Sequence, residues 1–97
     1  MKSILITFDQ AHYDKIITIL DRLNCRGFTS FGTVQGRGSK QGEPLYGSHA
    51  WPSLGGAIIT IVEDDSAPAI LKELRKLDLE RPKLGLRAFQ WNVEESV

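Results

Sequence analysis

One cysteine in 97 residues, Cys25, leaves no internal disulfide to staple the fold and suits a reducing compartment. Neither sign of charge is in excess, since twelve Lys and Arg balance twelve Asp and Glu. The basic excess that marks nucleic-acid and anionic-membrane binders is therefore missing. No apolar run approaches the ~20 residues of a membrane span. The opening M-K-S-I-L-I-T-F-D has too short an apolar stretch for a signal peptide and meets an acid at once. The expectation is one cytoplasmic domain over residues 1–97, without internal repeats or low-complexity tracts.

Chemistry-bearing constellations are also scarce. No nucleophile sits with a base and a supporting third group, and no paired carboxylates mark a cleft, so the chain does not read as an enzyme. Cys25 has Arg26 beside it but no neighbouring histidine, and reads as a small buried hydrophobe. His12 reads as surface filler in a first helical turn. Glu63-Asp64-Asp65 reads as a negative cluster at a helix N-terminus, where it meets the positive end of the dipole.

What is present is a clear alternation of elements. Lys2–Phe8 is a β-rich apolar run, followed by Asp9 as a helix N-cap. From Gln10 to about Asn24, Tyr13, Ile16, Ile17, Leu20 and Leu23 recur at three- and four-residue spacing and predict one apolar helical stripe. Gly27 precedes a second strand, Phe28–Gln35. Ala57–Val62, β-branched and nearly uniformly apolar, predicts a central strand. Ser66 or Asp65 opens a second helix, with Pro68 in its first turn and Ile70, Leu71, Leu74 and Leu77 as its stripe. Leu86–Val93 alternates into a fourth strand, with Phe89 and Trp91 on one bulky face.

The order is βαββαβ, the α+β ferredoxin-like sandwich. Right-handed crossovers place both helices on one face of a four-stranded antiparallel sheet. The uncovered face then carries Phe89, Trp91, Phe28 or Phe31, and the branched residues of the third strand. That is too apolar for water, so self-association is expected.

Between the second and third strands runs G-R-G-S-K-Q-G-E-P-L-Y-G, within a loop from about Gly36 to Gly55. It is neither a Walker A loop nor a dinucleotide fingerprint, since its spacing differs and no helix opens behind it. Gly36, Gly38 and Gly42 let backbone N–H groups approach a ligand, while Arg37 and Lys40 add positive charge, so an anion is one fitting guest. Further along, His49-Ala50-Trp51-Pro52 exposes an aromatic anchor suited to a protein partner, and an imidazole able to take a metal.

Over Gly27–Gly47, G-F-T-S-F-G-T-V-Q-G-R-G-S-K-Q-G…L-Y-G resembles the second strand and T-loop start of the PII signal-transduction proteins and their PII-like relatives. The element order matches over most of the chain. The resemblance implies a homotrimer that senses a small ligand, usually an adenine nucleotide, in clefts between subunits. It further implies that the loop engages a target enzyme or transporter. Thr29 would lie near the adenine, while Gly36, Arg37, Gly38, Ser39 and Lys40 would wrap the phosphates. Tyr46, His49 and Trp51 would face the target. The family's second phosphate loop, glycine-rich with a terminal lysine, is E-R-P-K-L-G-L-R here, offering Lys83 and Arg87 but one glycine. The lysine expected before the third strand is replaced by Leu54-Gly55-Gly56-Ala57, and the basic C-terminal stretch by W-N-V-E-E-S-V. Trp51 stands where many members carry a modifiable tyrosine, which excludes uridylylation there. These departures point away from ATP held in the family manner and toward a different or weaker ligand. The alternative is a divalent-metal tolerance or efflux-accessory protein of similar fold, and a third reading is a structural adaptor without ligand.

Overall fold

The computed structural model describes residues 1–97. Strand β1 spans Lys2–Asp9, β2 Phe28–Val34, β3 Gly55–Val62 and β4 Arg87–Asn92, while helices α1 and α2 span Tyr13–Arg22 and Ala67–Glu80. All pairings are antiparallel, in the order β2-β3-β1-β4. This is the ferredoxin-like arrangement anticipated from the element order.

One residue parity builds the core. Ile4, Ile6 and Phe8 of β1 share a face with Ile58, Thr60 and Val62 of β3, and all six are buried beneath the helices. Thr60 is tolerated there because its hydroxyl donates to the Gly27 carbonyl at 2.6 Å. Helix α1 supplies Ile16, Ile19 and Leu20, with Tyr13, Ile17 and Leu23 at the margin. Helix α2 supplies Ala67, Ile70, Leu74 and Leu77. Salt bridges Arg22–Glu73 at 3.0 Å and Lys15–Glu80 at 3.8 Å cross between the helices on their outer side.

The opposite parity forms the open face. Leu5 pairs with Ile59 and Phe89, and Ser3 with Ile61 and Trp91. Phe31 joins them because Phe31 and Gly32 together oppose Ala57 in a bulge, made possible by Gly32 at φ 70°. Phe28 pairs with Thr60 and belongs to the helix side, so Phe31 is the aromatic that β2 gives to this face. Phe31, Ile61, Phe89 and Trp91 are all about half exposed, at 47–56%.

Several local expectations are corrected. Asp9 caps as anticipated, accepting from the Ala11 N–H at 2.9 Å, but a 3₁₀ turn, Gln10–His12, intervenes before α1 begins. That tighter turn rotates His12 inward, leaving it 1% exposed rather than at the surface. The left-handed residue after α1 is Asn24, at φ 58°. Ser66 is the N-cap residue of α2 but makes no side-chain cap bond. Asp64 pairs with the Met1 amino group at 2.9 Å, which holds its carboxyl below the usual carboxylate range. Leu86, anticipated as the start of β4, lies just before it, buried against the core.

Candidate anion-binding site

The segment between β2 and β3 is two successive turns rather than one open loop. Gly36 and Leu45 exchange backbone hydrogen bonds at 3.2 and 2.7 Å, closing a first turn over residues 37–44. Tyr46 bridges to Leu54 and closes a second, within which the Gly47 N–H reaches the Ser53 carbonyl and the Ser48 N–H the Trp51 carbonyl, both at 2.9 Å. Gln35 Nε2 donates to the Tyr46 carbonyl at 2.8 Å and ties the two turns together.

The first turn folds over the bend between α2 and β4. Pro82–Leu84 forms a 3₁₀ turn that ends at Gly85, left-handed at φ 68°. Gly38 lies directly against it: a methyl group on Gly38 would overlap the Gly85 carbonyl oxygen and lie 3.0 Å from its carbon. Two glycines thus let two backbones meet face to face.

Two hollows flank this contact and share Gly85. The inner one, about 120 Å³, is lined by Thr7, Gln35, Gly36, Arg37 and Gly38 at the ends of β1 and β2. The outer one, about 310 Å³, is lined by Ser39, Gly42, Glu43, Lys83 and Arg87. Arg37, Lys40 and Lys83 take part in no salt bridge, so their charge is free for a ligand.

The structure brings Gly36, Arg37, Gly38 and Ser39 of the loop beside Lys83, Gly85 and Arg87, in the segment that stands where the resemblance puts a second phosphate loop. Lys40 stands at the tip of the first turn and lines neither hollow. Thr29 is not gathered: it pairs with Ile59 on the open face, roughly 20 Å along β2 from Gly36 at the usual strand rise. Tyr46, His49 and Trp51 belong to the second turn, where Tyr46, Trp51 and Leu54 form an exposed apolar group. No three His, Cys, Asp or Glu side chains converge in the chain, so His49 belongs to no such cluster of three.

Gln10 is a residue whose role the sequence does not signal. Its backbone N–H donates to the Leu54 carbonyl at 2.9 Å, and its Nε2 to the Gly55 carbonyl at 3.0 Å and the Gly32 carbonyl at 3.3 Å. One residue thereby anchors the return from the second turn and the bulge of β2 to the start of α1. Nothing local in the sequence marks a glutamine for such a role.

His12 is the one buried imidazole. Burial first, and then Lys15, hold its pKa below the ordinary 6.5, so the neutral ring is favoured, and its Nε2 finds no hydrogen-bond partner. It lies under the helices and away from both hollows.

No protein-family model matches this chain, and no curated protein matches it by sequence. Solved structures do match. CPII, a nitrogen regulatory PII-like protein from Thiomonas intermedia K12 bound to ADP, AMP and bicarbonate, aligns with a TM-score of 0.78 at 19% identity, over 95% of this chain and 84% of that one. CPII bound to ADP and bicarbonate aligns at 0.71 and 20% identity, over 97% and 88%. A candidate PII-like signaling protein from Thermus thermophilus aligns at 0.67 and 22% identity, over 95% and 85%. Likeness at such identities is likeness of architecture, and the resemblance read from Gly27–Gly47 holds at that level: this chain has the ferredoxin-like βαββαβ fold of the PII-like proteins.

Proposed function

We propose that the chain is a PII-like regulatory protein, not an enzyme. It senses a small anionic ligand where the first turn meets the 82–87 bend, and signals to a protein target through the second turn. The observation that carries this reading is the close approach of Gly38 to Gly85. It sets Arg37, Lys83 and Arg87, from separate segments, around two adjoining hollows. Neutral overall composition makes such a local concentration of cations informative.

An adenine nucleotide with fewer phosphates than ATP is the first ligand to test, alone and with bicarbonate, since CPII was solved with ADP, AMP and bicarbonate. The open face, with Phe31, Ile61, Phe89 and Trp91, supports association of three copies, which would remove these side chains from water. Assembly is also the means by which Thr29, remote from the loop base within one chain, would meet a ligand held by a neighbouring copy. Ligand at the base favours one arrangement of the turns, and that arrangement differs in affinity for a target contacting Tyr46, His49 and Trp51.

Calorimetry with ADP, with and without bicarbonate, tests the reading. Binding should weaken as salt rises and fall on Arg37→Ala or Lys83→Ala. Tight binding that survives both substitutions would place the site elsewhere.

A further inference from the structure

Arg87 stands between two places for its charge. Its Nη1 donates to the Leu86 carbonyl at 2.6 Å and lies 3.9 Å from Asp78 Oδ1, in the last turns of α2. That oxygen is buried and accepts no hydrogen bond, and Arg87 is the one cationic side chain in salt-bridge range of it. On the other side, Arg87 lines the outer hollow with Ser39, Gly42 and Lys83. On Asp78's side it lines a separate groove between α2 and β4, with Leu74, Ala88 and Phe89. Arg87 therefore lines both the groove that holds Asp78 and the outer hollow.

The Asp78–Arg87 separation exceeds hydrogen-bond reach, so charge alone holds the pair. A carboxylate oxygen shielded from water and lacking a donor depends on that charge. A phosphate in the outer hollow offers the same guanidinium two charge-assisted hydrogen bonds, the stronger geometry. Nη1 is the atom nearest Asp78, so a bond made through it to a phosphate would loosen its hold on the carboxylate.

We propose that Asp78 is a built-in competitor for the anion site: it holds Arg87 when the site is empty, and a phosphate-bearing ligand binds by drawing Arg87 away. Asp78 is thus a positioning residue that sets the ligand concentration at which the site fills, and it carries occupancy from the loop base to helix α2. The inference rests on the outer hollow being the anion site.

The test is calorimetric titration of the full chain with ADP, and separately with inorganic pyrophosphate, comparing wild type, Asp78→Asn, Arg87→Ala and the double variant. Asp78→Asn is isosteric and should tighten ADP binding about fivefold, the upper range for a partly exposed ion pair. Arg87→Ala should weaken binding and abolish that gain in the double variant. In wild type, the Asp78 carboxyl carbon resonance should move on ADP addition, although Asp78 does not line the outer hollow. Unchanged or weaker ADP binding by folded Asp78→Asn, with wild type binding normally, overturns the competitor role and leaves the anion site standing. A static Asp78 resonance at saturating ADP does the same, and needs no variant to fold. Failure of wild type and Asp78→Asn alike to bind ADP or pyrophosphate overturns the anion site and the competitor together.

Discussion

Substituting alanine at Gly38, inside the candidate site, and at Gly27, outside it, should have opposite consequences. At Gly27 an added methyl meets nothing within 4 Å and the backbone angle is ordinary, so Gly27→Ala should be silent. At Gly38 the methyl overlaps the Gly85 carbonyl oxygen, with the Gly85 carbon at 3.0 Å and its Cα at 3.1 Å. Those atoms are backbone, and Gly85 is fixed in the left-handed region by the end of its 3₁₀ turn, so no flexible side chain can yield. Overpacking of this kind costs about 1–3 kcal/mol when the surroundings cannot move. The turn is at the surface, and it relieves the clash by lifting off the bend. The cost should therefore fall on ligand binding, roughly tenfold or more by the same energy. The melting temperature should drop by less than the ~4–8 °C that 1 kcal/mol produces in a domain of this size. Parallel ADP calorimetry and thermal melts on the two variants read this out. Equal affinity in Gly27→Ala and Gly38→Ala would refute the claim that the Gly38–Gly85 contact builds the site.

Trp91→Glu or Phe89→Glu should reduce the mass seen by multi-angle scattering from that of a trimer toward a monomer, because either places an unpaired charge in the apolar face. A monomer mass for the unaltered chain at micromolar concentration would remove the assembly. Ile58→Ala, at a fully buried position of the central strand, should cost about 2–5 kcal/mol in urea unfolding. His12 makes stability pH-dependent with a definite sign. Its folded pKa is below 6.5, so between the two values the unfolded chain binds more protons, and stability falls as pH drops below 6.5 and is fully present above it. His12→Leu should flatten the part of the urea-midpoint change between about pH 7.5 and 5.5 that this ring contributes; an unchanged slope would contradict its burial.

The strands and helices were legible because periodicity reports them directly. Alternation in β4 placed Phe89 and Trp91 together, and three- and four-residue spacing gave the buried stripe of α2. Phe28 and Phe31 could not be separated beforehand, since the choice depends on a bulge that shifts parity between Ser30 and Thr33. His12 was misread because a 3₁₀ turn and an α-turn point the same residue in different directions. The loop-base residues were legible from their glycines and charges. The resemblance pointed to the segment around Gly85 as a second loop, but the direct meeting of residues 38 and 85 is tertiary and was not legible. Gln10 and Asp78 act through contacts to carbonyls and a guanidinium brought near by the fold, and leave no spacing to read.

The central claim is that an anion is held between the first turn and the 82–87 bend, and residue-resolved nuclear magnetic resonance during ADP titration tests it most directly. The account predicts saturable shifts concentrated on the amides of residues 36–42 and 83–87, lost in Gly38→Ala and retained in Gly27→Ala. Saturable shifts confined to the helix faces or the second turn, with residues 36–42 and 83–87 unmoved, would contradict it.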